Sequence, residues 1–177
     1  MKLFIASDIH GSAYFTSLLL DRFQKSGADK ILLLGDILYH GPRNDLPREY
    51  DPKRVAAALN GISDKIFAIR GNCESEVDAM VLDFNIASDS MLYCDGAVSL
   101  CASHGHRSIP PMSGIDVLLC GHTHIPGRRQ EDGYVYINPG SVSIPKEASP
   151  HSYMTLEKGR FRWYDLNTEE CYMEYKL

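Results

Sequence analysis

The chain has 177 residues, of which 44% are hydrophobic and 23% charged, and this composition is that of a globular protein with a core of its own. Its formal net charge of −5 at pH 7 disfavours long nucleic acids and acidic membrane surfaces as partners, because both are themselves negative. Its 5 cysteines, an odd number without a C-x-x-C pair, exclude a complete disulfide framework within one chain, and no apolar stretch approaches the roughly 18 residues of a membrane span. We therefore expect one domain over residues 1–177, in the reducing cytoplasm.

Short apolar runs and helical patterns alternate through the first half of the chain. In chain order they predict a strand at residues 2–7, a helix at about 12–25, a strand at 30–34, a helix at about 52–59, a strand at 65–69 and a helix at about 74–84. The second helix is preceded by Asp51 as N-cap and begins with Pro52. This alternation is typical of an α/β protein with a mostly parallel sheet.

The second half has few helical patterns. Apolar runs at 97–102, 116–120 and 134–137 predict strands, and residues 152–177 predict a pair of hairpins with a turn at Lys158 and Gly159. We expect the strands of this half to build a second sheet packed on the first.

Polar residues follow these strands where each one ends. Asp8 and His10 stand in S-D-I-H-G, Asp36 in L-G-D, Asn72 and Cys73 in R-G-N-C-E, His104 in S-H-G-H, and His122 and His124 in G-H-T-H. Open α/β sheets place their ligand sites beyond the carboxyl ends of the strands, so these side chains are expected to converge. Two carboxylates, one amide and four imidazoles suit two metal ions with oxygen and nitrogen ligands, with Asp36 as the candidate bridge. A mononuclear oxygenase iron site needs only two histidines and one carboxylate, which would leave the other residues unexplained.

In this order, the motifs D-x-H, G-D, G-N, G-H and G-H-x-H resemble those of the calcineurin-like metallophosphoesterases, and the likeness continues to N-P-G-S at residues 138–141. The short chain, G-N-C-E and N-P-G-S-V-S-I-P are similar to the small YfcE-type phosphodiesterases. This resemblance implies two facing mixed β-sheets flanked by helices, an αββα sandwich, without a cap domain.

The resemblance also implies a role for each of the seven strand-end residues. Asp8, His10 and His124 would hold one metal ion, Asn72, His104 and His122 would hold the other, and Asp36 would bridge both together with a water or hydroxide. That hydroxide would attack the phosphorus of a small phosphodiester, with Asp36, Asn72 and His104 as the candidate catalytic residues. Mn²⁺ is the first metal to expect, with Zn²⁺, Fe, Ni²⁺ or Co²⁺ as alternatives.

Three further residues are candidates for substrate specificity. Many relatives carry a histidine directly after the G-N asparagine, whereas this chain has Cys73, whose thiol is a weaker hydrogen-bond donor than an imidazolium. Either Cys73 biases the enzyme toward esters whose leaving group departs easily, or it only packs. Arg43 and His40 lie in the loop after Asp36, where they are expected to meet the phosphate.

Three other functions could use the same residues. A phosphomonoesterase would use the same site for a terminal phosphate. A non-catalytic scaffold, such as the retromer subunit that resembles these phosphodiesterases, tends to lose metal ligands, whereas all seven positions are intact here. A nuclease acting on long DNA is disfavoured by the acidic balance. The expected partners are a small phosphodiester, no membrane, and copies of the same chain in a dimer or tetramer.

Overall fold

The structure is a computed structural model that describes residues 1–107 and 114–177. Within these ranges, two β-sheets face each other and three helices lie in the first half of the chain. The helices are α1 (Ala13–Ser26), α2 (Pro52–Asn60) and α3 (Asp78–Val81). The strands are β1 (Leu3–Ala6), β2 (Lys30–Leu33), β3 (Ile66–Ala68), β4 (Ser90–Cys94), β5 (Ser99–Ser103), β6 (Val117–Cys120), β7 (Gly127–Gln130), β8 (Val135–Asn138), β9 (Ser152–Glu157), β10 (Arg160–Asp165) and β11 (Cys171–Lys176). No helix in the described ranges is long and apolar enough to cross a membrane.

The first sheet has the strand order β11-β10-β9-β1-β2-β3, and the second has the order β4-β5-β6-β8-β7. As predicted, β1, β2 and β3 are parallel to one another and are joined through the helical segments. The second sheet is mixed, because β5, β6 and β8 run parallel while β4 and β7 pair antiparallel at its two edges. The predicted fold class of two facing mixed sheets with helices is therefore confirmed.

The position of strand β1 between two cores explains why its sequence is apolar throughout. Side chains alternate between the two faces of a strand. Phe4 and Ala6 belong to the core under the helices, whereas Leu3 and Ile5 belong to the core between the sheets. Because both faces of the sheet are covered at this strand, no position is left for a polar residue until Ser7.

Two predicted features were wrong. All strands of the second half were expected in the second sheet. Instead, the tail strands β9, β10 and β11 extend the first sheet, because β9 pairs antiparallel with the edge of β1 that β2 leaves open. The helix predicted at 74–84 contracts to α3, since the Glu74 carboxylate accepts backbone N–H groups of Asp36 and Ile37 instead of starting a helix. The strands β4 and β7 were missed because both are edge strands with largely exposed side chains.

Two predicted boundaries, the Asp51 cap and the turn at Lys158 and Gly159, are present, and Ser12 adds a further helix cap. Ser12 caps α1 by accepting the N–H of Phe15, and Asp51 caps α2 by accepting the N–H of Arg54. At the β9–β10 turn, Lys158 and Gly159 both have positive φ, of 49° and 72°, which suits a tight hairpin whose twist matches its strands.

Candidate metal centre

The strand ends of both sheets meet at one rim, and backbone hydrogen bonds join their loops. Asp8 follows β1 and Asp36 follows β2, and the N–H of His10 donates to the carbonyl of Asp36 at 2.9 Å. On the second sheet, His104 follows β5, and its carbonyl accepts the N–H of Gly121 at 3.0 Å. The loops therefore hold one another in place before any side chain is considered.

The backbone of these loops is left-handed at five of the candidate ligands. The φ angles are 59° at Asp8, 49° at His10, 53° at Asp36, 67° at His122 and 63° at His124. Aspartate and histidine adopt this region more readily than most residues, yet it still costs on the order of 1–3 kcal/mol at each position. Strain of this kind persists only where the surrounding structure enforces it, and it is concentrated at functional sites.

The first cluster of donor atoms belongs to Asp8, His10 and His124, which lie within 4.8 Å of one another and are buried. The Nδ1 atoms of both histidines face backbone carbonyls, those of Tyr39 at 2.8 Å and Ile144 at 2.6 Å. Each Nδ1 therefore carries the proton and donates it, which leaves the Nε2 lone pair free. These two Nε2 atoms are 3.2 Å apart, and that of His124 is 3.3 Å from Asp8 Oδ1.

The second cluster belongs to Asp36, His104 and His122, again within 4.8 Å. His104 Nδ1 donates to the carbonyl of Leu34 at 2.6 Å, so its Nε2 points inward, 3.1 Å from Asn72 Oδ1. Asp36 lies between the clusters, since its Oδ2 is 3.4 Å from His104 Nε2 and 3.7 Å from His10 Nε2. The structure thus brings all seven predicted ligand positions together at one place.

The unpaired atoms of this site fit a cation. Asp8 Oδ1 is buried and makes no hydrogen bond within the described part of the chain. Around it, the imidazoles of His10 and His124 present lone pairs when they are neutral, and lone pairs that face one another without a proton between them repel. A positive ion among oxygen and nitrogen donors satisfies all of these groups at once, and carboxylate with imidazole is a donor set suited to Mn²⁺, Zn²⁺, Fe, Ni²⁺ and Co²⁺.

The ionisation of the site favours the anionic form of its carboxylates. Burial raises the pKa of Asp8, but its contacts with His10 and His124 outweigh burial and hold that pKa well below the usual range. Burial likewise raises the pKa of Asp36, and His104 more than offsets it, so this pKa is also lowered. Conversely, burial lowers the pKa of His104 while the nearby carboxylates of Asp36 and Asp8 raise it to about 9. The carboxylates are therefore charged near neutral pH.

A cavity of about 470 Å³ opens over the clusters and is lined by Asp36, Asn72, Cys73, His122 and His124. The predicted Arg43 also lines it, as does Lys146, a cation that the sequence analysis missed because it follows N-P-G-S by several residues. The structure does not bring His40 to this cavity.

The ring of His40 packs instead between those of Tyr39 and Tyr50, with centroid distances of 4.7 and 5.1 Å. Cys73 stays beside the centre, where its N–H donates to Asp36 Oδ1 at 2.9 Å. Burial, followed by the charge of Asp36, raises the pKa of its thiol, so Cys73 remains protonated.

Glu74 is a buried carboxylate to which the sequence analysis assigned no role. Its Oε2 accepts the N–H groups of Asp36, at 2.9 Å, and Gly71, while its Oε1 accepts that of Ile37 at 2.6 Å. One side chain thus joins the G-D loop to the G-N loop. The sequence signal for this role was the position of Glu74 directly after R-G-N-C. An acidic residue at the start of a helix would occupy the same position, so the signal was ambiguous.

The N-P-G-S motif braces two of the ligand loops. Ser141 Oγ donates to the carbonyl of Asp8 at 2.9 Å, and Asn138 Nδ2 donates to that of Gly121 at 2.7 Å. Trp163 Nε1 in turn donates to the Asn138 carbonyl at 2.7 Å. The motif is therefore more than a tight turn, since it links the tail strands to the centre.

Two facing mixed sheets with aspartates, histidines and an asparagine gathered at their strand ends define the metallophosphoesterase class. In agreement, the family model of the calcineurin-like phosphoesterase superfamily domain matches residues 1–159, and the chain belongs to this superfamily. It is similar to phosphodiesterase YfcE of Escherichia coli (strain K12), with 46% identity over 161 residues that cover 89% of this chain and 88% of that protein.

The solved structure of YfcE, a phosphoesterase from E. coli, superposes with a TM-score of 0.94 and 42% identity over 99% of both chains. The chain is also 30% identical over 112 residues to the probable metallophosphoesterase YsnB of Bacillus subtilis (strain 168), covering 55% of this chain and 62% of that protein. Wild-type Vps29 of Entamoeba histolytica complexed with Zn²⁺ matches with a TM-score of 0.65 at 18% identity over 100% of this chain and 98% of the other, which shows the fold alone.

Proposed function

We propose that this protein is a metal-dependent phosphodiesterase that hydrolyses small phosphodiesters. The observation that carries the proposal is the position of Asp36, whose Oδ2 lies within 3.7 Å of one histidine of each cluster. A carboxylate placed in this way suits two ions that share it. Similarity to phosphodiesterase YfcE over most of both chains supports the same activity.

Two divalent ions account for all seven ligand positions. Asp8, His10 and His124 would hold the first ion, Asn72, His104 and His122 would hold the second, and Asp36 would serve both. When bound, such a pair of ions supplies an activated water as nucleophile and neutralises charge on the phosphoryl oxygens. Mn²⁺ is the first ion to test because the resemblance to the small phosphodiesterases implies it, while the carboxylate, amide and imidazole donors suit Zn²⁺, Fe, Ni²⁺ and Co²⁺ as well.

The chain's own residues set the orientation of these ligands and of the substrate. The carbonyls of Tyr39, Leu34 and Ile144 fix the imidazole rings of the three buried histidines, so no ring must rotate when an ion enters. At the cavity mouth, the cations of Arg43 and Lys146 attract a phosphodiester monoanion despite the negative net charge of the chain. Cys73 offers only a weak donor to the departing oxygen, which favours esters with acidic leaving groups.

The test compares a bis-aryl phosphodiester with the matching aryl phosphomonoester, using chelator-stripped protein with and without Mn²⁺. We expect metal-dependent hydrolysis of the diester. Asp36→Asn should abolish it, whereas the control Asp132→Asn, an exposed residue between β7 and β8, should leave it unchanged. Preference for the monoester would move the protein to the phosphatases. No turnover by the folded, metal-loaded protein would favour the scaffold function.

A further inference from the structure

A second cavity of about 600 Å³ adjoins the metal centre and is not used by the proposed mechanism. It lies between α2, the loop after β2 and the segment leading to α3. Its walls include Leu38, Tyr39, Tyr50, Pro52, Ala56 and Ala57. We call it the tyrosine pocket.

The tyrosine pocket borders the candidate metal centre. Cys73 lines both this pocket and the cavity over the ligands. The carbonyl of Tyr39 holds His10 Nδ1 at 2.8 Å, so one residue supplies both a wall of the pocket and an anchor for a ligand. The ring of Tyr50 packs against the loop that carries Asp8 and His10, since a Cβ added to Gly11 would lie 2.5 Å from Tyr50 Cε2.

Two polar side chains of the tyrosine pocket, those of Asn60 and Ser75, are already paired within the chain, while Lys53 lines the pocket from an exposed position. The amide of Asn60 donates to the Val81 carbonyl at 2.8 Å and accepts the Asp83 N–H at 2.9 Å. The hydroxyl of Ser75 donates to Asp78 at 2.8 Å. The surface they leave is chiefly apolar and aromatic, and Tyr39 is 42% exposed. An occupant rich in hydroxyl groups would lose hydrogen bonds to water here, whereas a flat aromatic ring would not.

We propose that the tyrosine pocket binds an aromatic ring on the ester arm that stays attached to phosphorus during hydrolysis, an inference that rests on the proposed function. A phosphodiester has two ester arms, so a phosphoryl group beside Arg43 and Lys146 leaves one arm to pass Cys73 into the pocket. In the reaction, the oxygen of water forms the new P–O bond, the P–O bond of the other arm breaks, and the departing aryloxide takes a proton. The retained arm suits an apolar pocket because its oxygen does not become the anion. The volume lies within the range of small-molecule sites.

The first experiment compares bis(p-nitrophenyl) phosphate with methyl p-nitrophenyl phosphate, which share a leaving group and differ only in the retained arm. In the Mn²⁺-loaded enzyme, Ala57→Trp, which fills the pocket from an exposed helical position, should raise KM for the bis-aryl ester about tenfold, as expected for a lost ring contact. KM for the methyl ester should change less than about twofold. The control Arg54→Trp, on the same helix but outside the pocket lining, should change neither.

The second experiment does not depend on catalysis. Metal-free protein is titrated with p-nitroanisole, a neutral ring without phosphate, and the backbone amide signals of α2 are followed by NMR. We expect shifts in the wild type and in Arg54→Trp, and none in Ala57→Trp.

Three outcomes would overturn the inference while leaving the proposed function intact: an equal loss of both activities in Ala57→Trp, no loss of either, or no NMR shift with p-nitroanisole. Ring binding without hydrolysis of either ester would overturn the ester-arm assignment together with the proposed function. A wild-type dimer in light scattering that Ala57→Trp converts to a monomer would identify the pocket as a subunit interface instead.

Discussion

Gly71→Ala is the sharpest test of how tightly the candidate centre is packed. A Cβ added at Gly71 would lie 2.5 Å from the backbone nitrogen of Asp36, closer still to Asp36 Oδ1, and 2.7 Å from Glu74 Oε2. Ordinary contact begins at 3.4 Å, so these atoms must separate by about 1 Å. Asp36 cannot simply swing away, because its N–H is held by Glu74 and its Oδ1 accepts the N–H of Cys73.

The expected size of the effect of Gly71→Ala follows from this gap between the available and the ordinary contact distances. Overpacking of a tight interior costs about 1–3 kcal/mol in the free energy of unfolding. A displacement of about 1 Å at a reacting group lowers activity by about 10²-fold. We therefore expect Gly71→Ala to fold with reduced stability, to bind Mn²⁺ more weakly and to lose about 10²-fold in kcat/KM for a bis-aryl phosphodiester.

The measurements are urea unfolding of the metal-free protein, Mn²⁺ titration and steady-state hydrolysis. Gly127→Ala is the matched control, since its added Cβ meets no described atom within 4 Å, and it should stay within about 0.5 kcal/mol of the wild type. Wild-type stability and activity in Gly71→Ala would refute the conclusion that Asp36 is held rigidly between the loops.

Three more outcomes are expected. Glu74→Gln replaces one acceptor oxygen by a donor and should cost about 1–3 kcal/mol in urea unfolding, with weaker Mn²⁺ binding; retained stability would contradict its role in joining the loops. Cys73→His should raise activity on alkyl esters, whose leaving groups need a better proton donor, and equal kinetics of both forms on aryl and alkyl esters would contradict this. Mn²⁺ at a hundredfold excess over its Kd should stabilise chelator-stripped wild type by about 2.7 kcal/mol in calorimetry, but not Asp36→Asn; identical shifts in both would argue against Asp36 as a ligand.

The sequence predicted the parallel half of the fold because local and global signals agree there. The apolar runs of β1 and β2 are buried on both faces, and each run from β1 to β3 ends at a polar motif, so strand and site were recognised together. The convergence of Asp8, Asp36 and His104 followed from one rule about where parallel strands end.

What the sequence could not predict depended on distant partners. Residues 74–84 carry a helical pattern, but the buried N–H groups of two other loops compete for Glu74 and restrict the helix to α3. Strand β9 joins the first sheet because one edge of β1 is open there, and the sequence pattern of β9 itself does not indicate which sheet it joins. Similarly, Lys146 enters the site because Ile144, two residues before it, anchors His124.

The left-handed turns at the ligand residues have a consequence for engineering. Glycine adopts a φ near +60° without steric cost, so replacing a histidine such as His122 by glycine relieves about 1 kcal/mol of strain. In the absence of metal, a selection that rewards heat resistance alone would therefore favour variants that have given up their metal ligands, whereas Mn²⁺ at a hundredfold excess over its Kd would oppose them because it stabilises the intact centre by about 2.7 kcal/mol. Screening for a more durable form of this protein needs a metal-binding readout at every round.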